Sequence, residues 1–470
     1  MQADSSDHRL SGPWKSRLVD LDRRHVWHPF TQHSLWNQVE PLIIVAAEGV
    51  HLIDADGRRY IDGVSSLWCN IHGHRRPEID EAIRRQLDRV AHTTQLGLVS
   101  PPAVELAARL AALAPAGLEK VFFSDDGSTS VEVACKMAFG YWRHRRKTRR
   151  RFIALGQAYH GDTVGALSFG GIDLFRRTWQ PLLFRTDFAP PPYCYRCPLG
   201  KSADTCGMAC VGELERMLQS RRGQIAAVVI EPLIQCAGGM ITAPAGYLRR
   251  VRELCDQYDT LLIADEVATG FGRTGRMFAC EHEHVAPDLM CLSKGLTGGY
   301  LPLAATLATE PIYEAFLGPI DRGRTFYHGH TFTGNPLGCA AALASLDLFE
   351  SAGVLERVDL RISLMAGHLR RISCGTHVGS VRQCGLMAGI EIVRNRATRE
   401  AFPYAWQVGA RVCARARDHG AILRPLADVI VVMPPLSITP DELDDLMTAV
   451  ERSIEEVVPA AAQGQVDGLE

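Results

Sequence analysis

Residues 261–305 read LLIADEVATGFGRTGRMFACEHEHVAPDLMCLSKGLTGGYLPLAA and hold three short apolar runs with the length and composition of buried strands. These candidate strands are 261–264, 289–292 and 303–307. Asp265 follows the first run directly, and Lys294 lies two residues beyond the second. In a parallel α/β sheet, ligands bind beyond the C-terminal ends of the strands. The stretch therefore predicts a buried sheet with an acid and a lysine at its ligand-binding edge.

The sequence before this stretch continues the alternation of strands and helices. Further candidate strands lie at 121–123, 152–155 and 226–230, and amphipathic helices lie at 130–141 and 245–258. Strands that alternate with helices are typical of a mostly parallel sheet. We therefore predict the α/β class.

The length and the pattern of the chain predict two domains. The 470 residues are more than one small domain needs. After about residue 345, helical segments surround shorter strands at 385–392 and 429–433. We predict a large domain at 66–345, a smaller domain at 346–470, and an N-terminal segment at 1–65 that packs with the smaller domain.

Composition and charge narrow the class of protein. The formal net charge is −2, which does not favour nucleic acid or an anionic membrane as a partner. No stretch approaches the roughly 20 apolar residues of a membrane helix, and the N-terminus lacks the apolar region of a secretory signal. We expect a cytoplasmic protein whose 14 cysteines are reduced.

Two strand ends carry groups suited to a phosphorylated ring. Gly127 and Ser128 lie in a turn ahead of a helix, where free N–H groups and the helix dipole favour a phosphate. The alternative is that Ser128 or Ser130 only caps the helix. Tyr159 follows the next strand and can stack on a planar ring, or it can be a core tyrosine.

Asp265, Lys294 and a second polar turn complete this set. A buried carboxylate needs a partner, such as a protonated ring nitrogen or a basic side chain. A desolvated lysine can attack a carbonyl, whereas a surface lysine only extends into solvent. Gly329, His330 and Thr331 precede an alanine-rich helix and also suit a phosphate. Together these residues are the parts of a pyridoxal phosphate site.

The run 270–275 offers a competing interpretation, because it fits the G-x-G-x-x-G pattern of nicotinamide-dependent oxidoreductases. That fingerprint lies directly between a strand and its helix. Here residues 265–269 intervene after the strand, and no clear helix follows. We therefore favour the pyridoxal phosphate site.

The stretch 261–305 resembles the class III aminotransferases of fold type I, because it combines a strand, Asp-Glu, the Gly-Phe-Gly-Arg-Thr-Gly loop and Ser-Lys-Gly in one order. The resemblance extends from about residue 20 to about residue 455. It implies an aminotransferase with pyridoxal 5'-phosphate as cofactor. It also implies a large domain with a mostly parallel seven-stranded sheet, a smaller α+β domain, and a homodimer with shared active sites.

The same resemblance implies roles for individual residues. Lys294 would hold the cofactor as a Schiff base and transfer protons, Asp265 would pair with the ring nitrogen, and Tyr159 would stack on the ring. Thr331 would reach the phosphate from the partner subunit. The implied cofactor-binding residues are Gly127, Ser128, Tyr159, Asp265, Lys294, His330 and Thr331.

Within the family, four segments are most similar to the members that aminate 8-amino-7-oxononanoate in biotin synthesis. These segments are 25–31, 65–68, 159–163 and 424–425. The similarity implies that Arg424 binds the substrate carboxylate and that Trp68 lines the channel. The implied substrate-binding residues are Phe30, Trp68, Tyr159, Lys294, Gly329 and Arg424.

Three positions bear on the amino donor. Members that use S-adenosylmethionine carry Tyr at the positions of Phe30 and Val431, and the sequence around Trp68 is more similar to members that use lysine. We expect S-adenosylmethionine, the frequent donor in the family, with lysine as the alternative. A related ω-amino acid or amine transaminase would keep every cofactor residue and differ only in the pocket.

Cys236 distinguishes the chain from ornithine- and aminobutyrate-type relatives. Those relatives carry a Glu five residues after the Glu of their Glu-Pro motif, and it pairs with the substrate-binding Arg. Counted from Glu231, that position is Cys236 here. We therefore expect Arg424 to be unmasked and glutamate not to be the donor.

A cysteine cluster remains outside this scheme. Cys194, Cys197, Cys206 and Cys210 have the spacing C-x2-C-x8-C-x3-C, which can hold a structural zinc ion. The alternative is a loop of reduced thiols. No metal is expected in the catalytic site.

Overall fold

The computed structural model describes residues 12–465 and contains a seven-stranded sheet at its centre. Residues 1–11 of the predicted N-terminal segment and residues 466–470 of the predicted smaller domain lie outside the described residues. The strands are β1 Ile44–Glu48, β2 His51–Asp54, β3 Arg59–Asp62, β4 Leu118–Ser124, β5 Arg151–Leu155, β6 Asp187–Ala189, β7 Ile225–Ile230, β8 Ile234–Gln235, β9 Ile241–Thr242, β10 Leu261–Asp265, β11 Leu289–Leu292, β12 Ala304–Thr309, β13 Val378–Cys384, β14 Met387–Ile392, β15 Ala421–Ile422, β16 Arg424–Leu426 and β17 Val429–Val432.

Helices cover this sheet and flank the smaller ones. They are α1 Gly12–His25, α2 His33–Trp36, α3 Ser65–Trp68, α4 Pro77–Leu87, α5 Pro101–Leu113, α6 Gly127–His144, α7 Val164–Ser168, α8 Asp173–Arg176, α9 Ala209–Ser220, α10 Tyr247–Gln257, α11 Glu310–Glu314, α12 Pro336–Ser351, α13 Val354–Ile372, α14 Val408–Asp418 and α15 Pro440–Ala462. No single helix among residues 12–465 is long and apolar enough to cross a membrane, although α12 and α13 pass that test together with a bend of 73° between them.

The seven strands run in the order β4-β12-β11-β10-β7-β5-β6. Only β12 is antiparallel to its neighbours, β11 and β4, so the carboxyl ends of the other six strands share one edge. The central strands β7, β10 and β11 are buried along their whole length, which explains why they read as continuous apolar runs. The predicted α/β class and the mostly parallel seven-stranded sheet are confirmed.

The N-terminal strands pair with the C-terminal part of the chain. β1, β2 and β3 form an antiparallel sheet that β15 extends in parallel, with Ala421 opposite Ile61. A second sheet, β13-β14-β17-β16, is antiparallel throughout. These two sheets bring segments from both ends of the chain beside the large sheet.

Candidate active site

A cavity of about 430 Å³ lies at the carboxyl edge of the large sheet. Five strands deliver side chains to it, because their C-terminal ends meet at this edge. The lining includes six residues that the sequence predicts for the site, namely Trp68, Gly127, Ser128, Tyr159, Asp265 and Lys294.

The N-terminus of α6 faces this cavity. Asp126 caps the helix and accepts the N–H of Thr129 at 2.9 Å, so the helix begins at Gly127, three residues earlier than predicted. The alternative that Ser128 or Ser130 caps the helix is therefore wrong. The Ser128 hydroxyl instead accepts the N–H of Asp162 at 3.3 Å. The helix N-terminus and this hydroxyl suit an anion.

Two glycines allow the close packing around this end. A Cβ at Gly127 would lie 2.7 Å from Val267 Cγ1. A Cβ at Gly161, whose φ is +124°, would lie 2.2 Å from Ser128 Oγ. Because larger residues would push into the cavity wall, the cradle needs glycine at both positions.

Asp265 ends β10 and is buried. Its Oδ2 lies 2.7 Å from His160 Nδ1, and its Oδ1 accepts the N–H of Val267 at 3.1 Å. Burial alone would lower the pKa of His160, but the hydrogen bond and the charge of Asp265 raise it, so the imidazole donates to the carboxylate. The histidine partner is a contact that the sequence did not predict.

Glu231 follows β7 and is a second buried acid beside Asp265. Its two oxygens accept the backbone N–H groups of Tyr159 at 3.0 Å and Cys236 at 2.8 Å. Burial raises the pKa of Glu231 to about 7, with the charge of Asp265 adding to this shift and His160 opposing it. The signal that identified Asp265, an acid after a buried apolar run, was also present at Glu231.

Lys294 follows β11 and contacts an aromatic wall. Its φ is +46°, and its Nζ lies 4.9 Å from the centroid of the Trp68 ring, within cation–π range. The preceding Ser293 hydroxyl donates to the carbonyl of Leu303 at 2.9 Å. The structure thus fixes the backbone before Lys294 and places its Nζ against Trp68.

The Tyr159 hydroxyl donates to Asp162 Oδ2 at 2.5 Å. Burial and this carboxylate raise the pKa of Tyr159, so the phenol stays protonated. The Phe175 ring lies 6.2 Å from Tyr159 and 5.1 Å from Phe30. Phe30 itself is 57% exposed and does not line the cavity. Phe175, which the sequence did not single out, connects it to the site.

The turn at 329–331 lies outside the cavity lining of this single chain. Gly329 and Thr331 are exposed. His330 Nδ1 lies 3.0 Å from Asp125 Oδ2, close to the N-terminus of α6. Within one chain, Gly329, His330 and Thr331 therefore do not line the cavity with the other predicted site residues.

Arg424 lies in β16, opposite Val431 of β17. Its charge acts on Tyr159, where it opposes the rise in pKa. Its Nε is buried and has no hydrogen-bond partner in the part of the chain that the structure describes. Cys236 lines the cavity and cannot form an ion pair with this guanidinium.

The G-x-G-x-x-G run 270–275 forms a buried loop after β10. A 3₁₀ helix at Ala279–Glu283, rather than a crossover α-helix, follows it. Arg273 donates to the carbonyls of Asn70 and Pro434, each at 2.7 Å. The loop packs the interior, and its context does not match a dinucleotide fingerprint.

The four clustered cysteines line a separate cavity of about 20 Å³, together with Pro191 and Pro244. Burial raises the pKa of Cys194 and Cys210, so these thiols are protonated at neutral pH. Across residues 12–465, no three His, Cys, Asp or Glu side chains are arranged to hold a metal ion. The zinc interpretation therefore gains no support from this arrangement.

The lining of the cavity at the carboxyl edge of the large sheet fits pyridoxal phosphate. The glycine cradle at the N-terminus of α6 suits the phosphate, buried Asp265 suits a protonated ring nitrogen, and Lys294 suits a carbonyl. The three groups line one cavity with Tyr159, so one planar ligand can contact them all.

Comparisons with known proteins identify the family. A family model described as "Aminotransferase class-III" matches residues 34–454. The adenosylmethionine-8-amino-7-oxononanoate aminotransferase of Geobacter sulfurreducens is 58% identical over 442 residues, which cover 94% of this chain and 98% of that protein.

Two solved structures share the fold over nearly the whole chain. The crystal structure of adenosylmethionine-8-amino-7-oxononanoate aminotransferase from Methanocaldococcus jannaschii has a TM-score of 0.90 at 44% identity and covers 94% of this chain and 99% of that chain. The omega transaminase from Pseudomonas jessenii, in complex with PMP, has a TM-score of 0.90 at 30% identity and covers 96% and 100%. The chain belongs to the class-III aminotransferase family and is a pyridoxal-phosphate-dependent transaminase.

Proposed function

We propose that this transaminase aminates 8-amino-7-oxononanoate to 7,8-diaminononanoate in biotin synthesis, with S-adenosylmethionine as the amino donor. The observation that carries the proposal is the 58% identity, over nearly the full length of both chains, to a protein named for this reaction. Arg424 acts on the cavity residue Tyr159 through its charge, and its buried Nε has no hydrogen-bond partner among the described residues. This cation supports a substrate with one distal carboxylate.

The cofactor end of the site is assigned to six residues. Bound pyridoxal phosphate supplies an electron sink next to the reacting carbon. Asp265 would hold the proton on the ring nitrogen, and Tyr159 would stack on the ring. Gly127 and Ser128 would bind the phosphate together with the partner's Thr331, beside His330.

Lys294 is the proton carrier in this proposal. Its amine would hold the bound cofactor through a covalent link that a donor amine can displace. Its freed Nζ would carry the proton between the donor carbon and the cofactor carbon as general base and acid. Trp68, which contacts Nζ, excludes water from this side.

The substrate end of the site is assigned to aromatic walls and one cation. Arg424 binds the carboxylate of the keto acid, while Trp68 and Tyr159 contact its apolar chain. Phe30 lies outside the cavity of a single chain and is proposed to reach the substrate beside Phe175. Gly329 lies on the turn that completes the channel. Because Cys236 leaves Arg424 unmasked, we propose that glutamate is not the donor.

We also propose that the active unit is a homodimer in the cytoplasm. Exposed apolar side chains on the segments around residues 92–99 and 326–335 support a covered surface, since Leu96 is 89% and Tyr327 is 74% exposed. The two segments contact each other, with the His92 and Phe332 rings 4.8 Å apart. Fourteen cysteines without a disulfide suit a reducing compartment.

Two alternatives rest on specific observations. Val431 is buried in an apolar cluster with Trp68 and Cys236, so the hydroxyl that members using S-adenosylmethionine carry at that position is missing, which favours lysine as the donor. The similarity to an omega transaminase favours a broader amine transaminase. Both alternatives keep the cofactor residues unchanged.

A half-reaction distinguishes these functions. The holoenzyme is mixed with S-adenosylmethionine or, separately, with lysine, and the visible absorbance of the lysine-bound cofactor is followed. Loss with S-adenosylmethionine and recovery on adding 8-amino-7-oxononanoate is the expected result. Loss of absorbance with lysine but not with S-adenosylmethionine would identify lysine as the donor. Absorbance that does not recover with this keto acid would favour the broader amine transaminase.

A further inference from the structure

The helix α3, Ser65–Trp68, is a left-handed turn. The φ values of Ser65, Ser66, Leu67 and Trp68 are 50°, 48°, 72° and 71°. The ψ values of Ser66 and Leu67 are 48° and 51°, as in a left-handed helix. Residues with a Cβ adopt this conformation at a cost, and runs of them are unusual. Four such residues in sequence persist only where their surroundings hold them in place.

Asp62 holds the start of this turn. Its side chain is fully buried, Oδ1 accepts the N–H of Ser66 at 2.9 Å, and Oδ2 accepts the Ser66 hydroxyl at 2.7 Å. His74 Nε2 lies 3.1 Å from the same Oδ2. Burial alone would raise the pKa of Asp62, but the hydrogen bonds from His74 and Ser66 hold it below its usual value. The carboxylate is therefore charged and accepts from both hydrogen-bond donors of Ser66, its N–H and its hydroxyl.

Further contacts hold the turn at both ends. The Ser65 hydroxyl donates to the carbonyl of Met433 at 2.7 Å. The carbonyl of Ser65 accepts the N–H groups of Cys69 and Asn70, each at 3.0 Å. Arg273 donates to the carbonyl of Asn70. Within the turn, Cys69 Sγ donates to the carbonyl of Ser66 at 3.2 Å, and Asp62 accepts from both the N–H and the hydroxyl of Ser66.

The turn forms one wall of the active-site cavity. Ser66, Leu67, Trp68 and Cys69 all line it. The Trp68 ring is buried and lies against Nζ of Lys294. A right-handed or extended path would direct these side chains elsewhere, since side-chain direction follows the backbone.

We propose that Asp62 is a positioning residue that fixes the left-handed turn Ser65–Trp68 and thereby holds the Trp68 ring against Lys294. Asp62 does not reach the cavity itself and acts through Ser66. This inference rests on the proposed roles of Lys294 and Trp68 in the transaminase site.

The first test isolates the signal of Trp68 without any substrate. The chain has seven tryptophans, so the Trp68 contribution is the near-UV circular dichroism difference between the holoenzyme and its Trp68→Phe variant. Asp62→Ala is expected to remove most of that difference, because the released ring becomes mobile. Asp62→Asn is expected to restore much of it, since the amide oxygen still accepts the Ser66 N–H.

The second test is a double-mutant cycle on kcat/KM for 8-amino-7-oxononanoate. Asp62→Ala is expected to lower kcat/KM about tenfold or more. Added to Trp68→Phe, it should cause little further loss, because both changes remove one arrangement. The matched control is Asp54→Ala, which removes a buried carboxylate that accepts from Asp56, Arg58 and Tyr60 and does not contact the turn. This control should keep the Trp68 signal and kcat/KM.

An intact Trp68 signal in Asp62→Ala, additive losses in the cycle, or an equal loss in Asp54→Ala would each overturn the proposal. If Asp62→Ala does not yield folded holoenzyme, Asp62→Asn and Ser66→Ala give the same comparison with smaller expected losses. A wild-type enzyme that does not use the keto acid would contradict the proposed substrate, while the dichroism test would still decide the role of Asp62.

Discussion

At the scale of single residues, the site depends on ionisable groups that the fold has taken out of water. His160, Glu231 and Asp265 are all buried at the carboxyl edge of the sheet. Each has hydrogen-bond partners that fix its orientation, including the pair between His160 and Asp265. Buried ionisable groups of this kind make the stability of the fold depend on pH, because burial changes the free-energy cost of their charged forms.

Glu231 gives a pH-dependent prediction. Its pKa is raised from 4.5 to about 7 in the folded state. Between these values the folded chain binds more protons than the unfolded chain, so the free energy of unfolding falls as pH rises. The loss attributable to this group is on the order of 3 kcal/mol and is complete above about pH 7.

Thermal unfolding of the wild type and of Glu231→Gln from about pH 5 to about pH 8 measures this effect. We expect the wild-type Tm to fall relative to that of the variant over this interval. The comparison uses the slopes, because the glutamine changes one hydrogen bond at every pH. Parallel pH profiles would contradict a raised pKa at Glu231.

Arg424 gives a prediction on substrate binding. Arg424→Ala is expected to raise KM for the keto acid roughly 10- to 100-fold, since a charge-assisted contact to the carboxylate is lost. An amino ketone of the same length without the carboxylate serves as the control substrate and should be little affected. Equal losses for both substrates would place Arg424 elsewhere in the reaction.

Some of these residues could be predicted from the sequence and others could not. Asp265 and Lys294 follow continuous apolar runs, and a strand end in a parallel sheet is a place where ligands bind. His160 gave no such signal, because its contact with Asp265 crosses between two strands. Most of the predicted site residues line one cavity. The role of each individual residue stays a prediction.

At the scale of elements, the left-handed turn Ser65–Trp68 is the least expected feature. Strand and helix patterns follow the spacing of apolar side chains, whereas this turn depends on contacts with Asp62 and Met433. A left-handed residue costs roughly 1–2 kcal/mol when it carries a Cβ. The surrounding hydrogen bonds must offset that cost.

A pair of substitutions at Ser66 measures this strain. Both Ser66→Gly and Ser66→Ala remove the hydroxyl, but only glycine relieves the backbone. We expect Ser66→Gly to be more stable than Ser66→Ala by about 1 kcal/mol in chemical denaturation. At Ser363, which is exposed within the right-handed helix α13, the order should reverse. The same order at both positions would argue against a left-handed turn.

The bounds of the large-sheet strands that have continuous apolar runs were predicted to within a few residues. Two features of the sheet were not predicted. β6 has only three residues, too few for a recognisable pattern. The antiparallel direction of β12 depends on the path of the preceding loop, which apolar spacing does not encode. The domain boundaries at residues 65 and 345 stay a prediction. β3 and β15 pair with each other, as is expected if the N-terminal segment packs on the smaller domain.

At the scale of the whole molecule, the proposed active site requires a second copy of the chain. Thr331 is exposed on a single chain, and apolar side chains such as Ile320 are exposed near it in sequence. A partner subunit that covers this surface would supply the missing end of the phosphate site.

Subunit complementation tests the shared site. Lys294→Ala and Thr331→Asp homodimers are each expected to be inactive, the first without its amine and the second with a charge that repels the phosphate. A heterodimer purified through two different tags has one site with both defects and one with neither. We expect about half of the wild-type activity in this heterodimer. A heterodimer as inactive as its parents would show that each site is built from one chain.

The most direct test of the account is mass spectrometry of the product formed from 8-amino-7-oxononanoate and S-adenosylmethionine by the purified holoenzyme. We predict 7,8-diaminononanoate, made catalytically by the wild type and not by Lys294→Ala. Formation of the same product only with lysine would keep the acceptor and change the donor. No diamine with either donor, together with turnover of simple amines, would contradict the central claim.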